Sequence, residues 1–265
     1  MKFRVTQYLF VSIILITSCG LHAQEYFQQK VDYEIEVTLD DKNHFLRGTE
    51  RIRYTNNSPG QLDFLYFHLW PNAYSSNNSA LAKEQMKEQG KHQLFKHESQ
   101  RGFIDSLNFK VNGEVIEWNF HPENRDICKL VLPEPLKSGE TITITTSFRV
   151  KIPLAVVSRM GHIDQSYKLT QWYPKPAVYD RQGWHPIPYL EQGEFYSEFG
   201  SFDVSITLPE NYVVAATGNL QTPSEKKWIN KKAKKTKRRY QFDPYDYEVP
   251  ESSEDKKTIR YTIDS

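Results

Sequence analysis

Residues 31–39, Val31-Asp32-Tyr33-Glu34-Ile35-Glu36-Val37-Thr38-Leu39, alternate apolar and polar side chains without a break. At a period of two, Val31, Tyr33, Ile35, Val37 and Leu39 share one face, which predicts a strand with that face buried. Asp40-Asp41-Lys42-Asn43 turns the chain, and residues 44–56 return as a second strand in which Gly48 is a candidate bulge. Asn57-Ser58-Pro59-Gly60 turns it again into a third strand over 61–69. This meander is one sheet of a sandwich or saddle.

The same period recurs further out. Strands are expected over 104–111 and 114–120, joined by Asn112-Gly113, a strong two-residue hairpin signal. Residues 126–132 follow, then a turn over 133–139 and a long alternating strand over 141–152. Beyond them, 202–208, 212–217 and 258–263 carry strand patterns. A short helix interrupts the series: Ser79 caps residues 80–89 and Gly90 stops them. Its polar composition predicts a surface insertion. The fold class expected is all-β, a large antiparallel β-sandwich or saddle with one surface helix and a long aromatic, proline-rich loop.

The chain has 265 residues, 34 Lys and Arg against 33 Asp and Glu, and a net charge of +1. No global field marks it for nucleic acid or an anionic membrane, and its length suffices for a full core. One local run departs from that balance. Residues 226–239 hold nine cations around Trp228; a solvated loop between strands is expected over the alternative of a nucleic-acid or membrane patch, since only Trp228 and Ile229 supply apolar contact.

The N-terminus carries targeting signals. Lys2 and Arg4 precede an apolar run over 8–16, too short to span a bilayer as a mature helix. Two processing readings stand: cleavage after Ala23 as an ordinary signal peptide (1–23), or a lipoprotein signal ending at residue 18 with Cys19 lipidated. Under either, the mature chain from residue 24 is expected to be exported, to the periplasm, the outer membrane or the exterior. Membrane attachment is expected only through that lipid on Cys19. Cys128 is then left alone in the chain, read as a buried strand residue.

Residues 170–200, TQWYPKPAVYDRQGWHPIPYLEQGEFYSEFG, concentrate rings, four acidic side chains, His185 and prolines at 174, 176, 186 and 188. Proline fixes φ and removes a donor, so the segment is expected to be an irregular, stiffened loop facing a substrate or another domain. No H-E-x-x-H, H-x-H, paired cysteines, G-x-S-x-G or P-loop occurs in the sequence, so no catalytic or metal-binding residue is assigned. His162 with Asp164, and His185 with Glu191 or Glu194, could converge without their spacing requiring it. Glu191, Glu194 and Glu198 are candidates for acid–base work, as in glycoside hydrolysis, or for surface and packing roles.

Several runs carry a resemblance, in order along the chain: Tyr33-x-Ile35-x-Val37 with Leu46-x-Gly48, Phe67-His68-Leu69-Trp70-Pro71-Asn72, residues 170–180, Gly193-Glu194-Phe195-Tyr196, and Phe202-x-Val204-x-Ile206-x-Leu208-Pro209. With these, residues 31–265 resemble the N-terminal β domain of zinc metallopeptidases of the aminopeptidase N type, the leukotriene-hydrolase branch included. The chain is most similar to exported bacterial forms with a W-Y-P-K-P-A-V-Y-D segment. The resemblance implies a neighbouring thermolysin-like catalytic domain holding H-E-x-x-H, a downstream Glu ligand and a Tyr, none of which lies in this sequence. Residues 24–265 are thus expected to be this β domain, truncated one strand before the catalytic domain would begin. Zinc belongs to the full-length family and no cofactor is expected in this chain.

One role that the resemblance implies falls inside the chain. The family's S-Q-C-E or S-Q-C-Q segment reaches into the cleft, and its last residue binds the substrate's amine or backbone. Gln171 matches that pattern and Tyr173 stands where the Glu or Gln would be, so these two are the expected substrate-binding residues for a peptide. A phenol accepts a hydrogen bond but does not neutralise an ammonium at pH 7. The lead expectation is therefore a cleft-forming domain of an exported zinc peptidase, inactive alone; whether the chain is itself an enzyme stays open. The alternatives are a non-catalytic module binding a peptide or protein through the 170–200 loop, and a carbohydrate-active β protein. An exposed apolar patch is expected around that loop.

Overall fold

The alternation over 31–39 becomes the strand β1 (Lys30–Asp40), paired along its whole length with β2 (Phe45–Thr55). The computed structural model describes residues 26–90, 92–157, 159–242 and 250–264. The N-terminal targeting segment, with Cys19 and the junction after Ala23, lies outside them. After β3 (Leu62–His68) and a 3₁₀ turn over Trp70–Tyr74 comes helix α1 (Ala80–Gln89). Short strands follow: β4 (Phe103–Asp105), β5 (Lys110–Val111), β6 (Glu114–Val115) and β7 (Trp118–Phe120). Two long ones succeed them, β8 (Ile127–Leu136) and β9 (Thr141–Lys151). The hairpin β10 (Met160–Ile163) and β11 (Ser166–Leu169) precedes the aromatic loop. Within that loop lie β12 (Lys175–Pro176), β13 (Val178–Asp180) and β14 (Gly183–His185). The chain continues through β15 (Phe202–Pro209), β16 (Asn219–Leu220), helix α2 (Pro223–Phe242) and β17 (Lys256–Ile263).

A nine-stranded sheet runs β16-β17-β15-β1-β2-β9-β5-β6, with β4 also on β9. A four-stranded sheet runs β12-β3-β8-β7. Between them lies one apolar cluster: Val31, Ile35, Ile52, Ile144 and Val150 from the large sheet meet Leu65, Phe67, Cys128 and Leu130 from the small one. This is the all-β sandwich the alternation requires. Cys128 is fully buried and unpaired by any disulfide, and burial pushes its thiol far up, so it is inert packing.

Several local expectations are corrected. The large sheet is not wholly antiparallel: β15 lies parallel to β1, with Tyr33 opposite Phe202, because it returns to β1 by a long crossover. Gly48 is no bulge. It stays in register between Val37 and Phe148, and a Cβ there would sit 2.6 Å from the Glu36 carbonyl oxygen and the Phe148 ring. The strand expected over 104–111 breaks at Ser106, which takes φ +58°. The one expected over 114–120 divides between the two sheets, since Ile116 turns into the core. Asn112 and Gly113 do form the hairpin turn, both with positive φ.

Pro133 and Pro135 lie inside β8 rather than in a turn; the pairing with β3 is irregular there, so the missing N–H groups cost no ladder bond. Residues 212–217 form no strand, because β17 already occupies the free edge of β15. The basic run is helical rather than a loop. Lys and Arg are good helix formers, Pro223 opens the helix, and Trp228 packs beneath Lys257 at 3.6 Å. Helix α1 is capped by Ser79, as expected, but it is more than a surface insertion. Leu81 and Ala82 are fully buried, and Glu84 reaches the aromatic loop.

Candidate functional site

The aromatic loop is irregular yet pinned along its length. Its first anchor is β12, which extends the small sheet by pairing Lys175 with His68 and Pro176 with Phe67. The Ala177 N–H adds a bond to the Tyr66 carbonyl at 2.8 Å. A second set of anchors holds residues 187–192. The Trp70 indole donates to the Ile187 carbonyl (3.1 Å), the Tyr74 hydroxyl bonds to that of Tyr189 (3.0 Å), and Asp126 Oδ2 accepts from the Tyr189 N–H (2.7 Å). Glu84 of α1 accepts from the backbone N–H of Glu191 (2.7 Å) and of Gln192 (3.3 Å). Burial raises the Asp126 carboxyl to about 6 against the opposing Tyr189 bond.

Between these anchors the loop covers a group of buried polar side chains. Lys175 is 3% exposed. Its amine lies 4.0 Å from the Trp70 ring centroid, donates to Ser197 Oγ at 2.9 Å and bonds Gln171 Oε1. Burial lowers its pKa to about 7. His68 stacks on the other member of that pair, Trp70, at 4.3 Å. Burial first, and the Lys175 amine second, depress its pKa to about 3, so it is a neutral ring.

Gln171 takes φ +55°, an uncommon left-handed backbone for a residue other than glycine. Tyr173 packs edge-on against Tyr33 (5.7 Å), Phe202 (6.0 Å) and Trp172 (5.3 Å). Burial, with Glu50 nearby, pushes its phenol far up. Gln171 and Tyr173 thus lie two residues apart, both half-buried, with Tyr173 set among the rings of Tyr33, Trp172 and Phe202.

Three groups near them escaped sequence reasoning. Glu50 faces inward from the middle of β2, is 3% exposed, and neither carboxyl oxygen has a hydrogen-bond partner among the described residues. Burial raises its pKa well above the ordinary carboxyl value. Its position in an alternating strand, on the face with Leu46 and Ile52, was the available signal. Glu198 is the second. Its carboxyl is raised to about 7 by burial, even with bonds from the Tyr179 backbone and Gln28. Lys175 is the third. The phenol of Tyr33, pushed far up by burial first, is flanked by Tyr173, Glu50, Glu198 and Tyr54.

The other candidates scatter. His162 bonds the Asp164 carbonyl at 3.2 Å and stacks on His44 at 3.6 Å, 14° from parallel. His185 meets Asp180 at 2.8 Å, and Tyr196 donates to the same carboxylate at 3.0 Å, so the ring's acidic neighbour is Asp180. No three His, Cys, Asp or Glu side chains among the described residues converge to hold a metal ion. The zinc that the resemblance implies thus has no fitting ligand set among the described residues. Ile187, Tyr196 and Phe199 are exposed on the loop, Phe199 at 79%.

No family model matches the sequence, and a search among characterised proteins finds no match. Solved structures do share features of its shape. A mutant M1 zinc metallopeptidase of Deinococcus radiodurans bound to a Tyr-Ser-Ala substrate aligns with 90% of this chain at 14% identity and TM-score 0.45. The M1 zinc metallopeptidase from the same organism does so at 15% identity and TM-score 0.44. A two-domain M1 zinc metallopeptidase mutant bound to L-tryptophan aligns with 89% at 14% identity and TM-score 0.43. The chain spans 39% of the length of each of these proteins.

Proposed function

We propose that this chain is the cleft-forming β domain of an exported zinc peptidase of the aminopeptidase N type, and that another domain supplies the metal. The observation that carries the reading is the pinned 170–200 loop. Gln171 is held in a left-handed backbone beside the Tyr173 ring by Lys175, at the place where the ordered sequence motifs put the family's substrate-contacting segment. Gln171 offers an amide to a peptide backbone. Tyr173, neutral, offers a ring and a hydroxyl in place of a carboxylate. Such a wall orients an extended peptide without fixing a free amine by charge, so broad tolerance at the peptide N-terminus follows. The exposed Ile187, Tyr196 and Phe199 form the surface on which the metal-bearing domain would dock.

The test has two arms. The reading frame beyond Ser265, and the adjacent gene, should encode H-E-x-x-H; its absence from both favours a stand-alone peptide- or protein-binding module. The purified chain should bind no stoichiometric zinc and cleave no peptide. One-to-one zinc with cleavage overturns the proposal. In the assembled enzyme, Gln171→Ala should raise KM for tripeptides about tenfold, as loss of a bond to substrate does, with kcat little changed.

A further inference from the structure

Helix α2 carries a cationic ridge that the cleft does not use. Its inner face touches the body through Glu225, Trp228, Ile229 and Lys232, spaced i, i+3, i+4 and i+7. Lys257 anchors that face, donating to Glu225 Oε1 at 2.8 Å and lying over the Trp228 ring, while Lys232 donates to the Asn211 carbonyl at 3.2 Å. The outer face is different. Lys227, Lys231, Lys234 and Arg238 recur at i, i+4, i+7 and i+11, all exposed and without an acidic partner among the described residues. Lys226 and Lys237 flank them. At a helical rise of 1.5 Å per residue the ridge is about 16 Å long.

Like charges at i, i+4 oppose the helix that displays them, so this ridge is held against its own repulsion by the Trp228 anchor. Setting aside the nine cations of residues 226–239 leaves a chain whose 33 Asp and Glu outnumber the remaining Lys and Arg. The molecule is therefore polarised, with one straight basic edge on an otherwise acidic body.

We propose that α2 docks the protein, by electrostatics alone, on an anionic phospholipid surface. A straight ridge of flexible ammonium groups fits a flat array of phosphates. The outer face from Lys227 to Arg238 holds no apolar side chain among the described residues, so the helix adsorbs without inserting and salt releases it. Nucleic acid fits less well. Its single-stranded forms want rings for base stacking, and the Trp228 ring in the middle of the basic run is covered by Lys232 and Lys257; nowhere else does the sequence gather a second basic cluster. The acidic body turns away from the same surface, which leaves the ridge as the point of contact.

Co-sedimentation of the full chain with phosphatidylcholine vesicles, with and without phosphatidylglycerol, tests this. The neutral vesicles report whatever the apolar run near the N-terminus contributes. Phosphatidylglycerol should add a salt-reversible component. Each cation near an anionic surface contributes about fivefold, so the joint variant Lys227→Gln, Lys231→Gln, Lys234→Gln and Arg238→Gln should lose that component by about a hundredfold or more. Glutamine is a good helix former, so the fold is kept; circular dichroism checks it. A control with the same charge change, Lys83→Gln, Lys87→Gln, Lys137→Gln and Lys168→Gln, should lose about tenfold at most. Equal loss in both, no added binding with phosphatidylglycerol, or tighter salt-matched binding to duplex or single-stranded DNA overturns the proposal.

Discussion

The Lys175 amine rests 4.0 Å from the centre of the Trp70 ring, buried under the aromatic loop with a serine and a glutamine as its hydrogen-bond partners. A buried ammonium with no carboxylate is costly, and burial lowers its pKa from 10.5 to about 7. Between those values the unfolded chain carries a proton that the native one lacks, so stability rises with pH, by up to about 1.4 kcal/mol per pH unit. Below about 7 both forms are protonated and the penalty is constant. Urea midpoints should therefore rise from about pH 7 to 9.5, and in Lys175→Met, which keeps the stem and drops the charge, they should not. An unchanged rise in the variant would show that another group titrates.

Glu50 titrates in the opposite sense. Its folded pKa is raised, so the native state keeps a proton that the unfolded chain loses above 4.5, and stability falls as pH rises beyond that value. Glu198, raised to about 7, and Asp126, raised to about 6, add falls of the same sign over 4.5 to 7 and 3.8 to 6. Replacing Glu50 by Met fills the same space without an unpartnered polar group, and should stabilise the protein by about 1–3 kcal/mol at pH 7. Calorimetry at pH 5 and pH 7 should show the gain growing with pH. A loss instead would mean that a bound water or ligand satisfies the carboxyl.

The sandwich was legible because period-two burial is a local property: Val31 to Leu39 and Thr141 to Val150 state their inward faces directly. Edge choice is not local. Nothing in residues 212–217 says that β17 will take their place beside β15, and nothing in Phe202 to Leu208 says that the pairing with β1 is parallel. The helix over the basic run follows from the helix propensity of Lys and Arg, which the charge pattern alone does not express. At the site, the rings and prolines marked the loop, but its chemistry rests on side chains whose burial comes from distant strands. Lys175 is lysine-like on paper and becomes a near-neutral amine only because β12 joins β3.

Glu84 links the one helix of the sandwich's first half to the loop, accepting from two successive backbone N–H groups. Glu84→Ala leaves those donors to water and frees the 187–192 turn. The expected cost is about 1–2 kcal/mol, with the sharper signal in hydrogen exchange. The amides of Glu191 and Gln192 should exchange at least tenfold faster while those of β1 and β2 are unaffected. Glu84→Gln keeps an acceptor and should restore most of the protection. Uniform loss of protection through the β-sheet would instead make Glu84 a global support.

The loop ends where it crosses β1. The Ser201 carbonyl accepts from the Tyr33 N–H at 2.9 Å, and at Gly200 an added Cβ would lie 1.7 Å from the Val31 carbonyl oxygen. No side chain can move aside, since the obstacle is the backbone of a central strand. Gly200→Ala must either open the start of the β1–β15 pairing or push the loop off the sheet, at a cost of about 3 kcal/mol or more. Gly193 separates this from the general cost of losing a glycine. It takes φ +91° in open space, so alanine there carries only backbone strain, about 1–2 kcal/mol. Chemical denaturation of both variants should rank Gly200→Ala well below Gly193→Ala. Peptide binding by Gly200→Ala should weaken as well, because Tyr173 packs on Phe202, two residues past the crossing. Equal costs at the two glycines would mean that the crossing has slack, and that the loop is not held by β1.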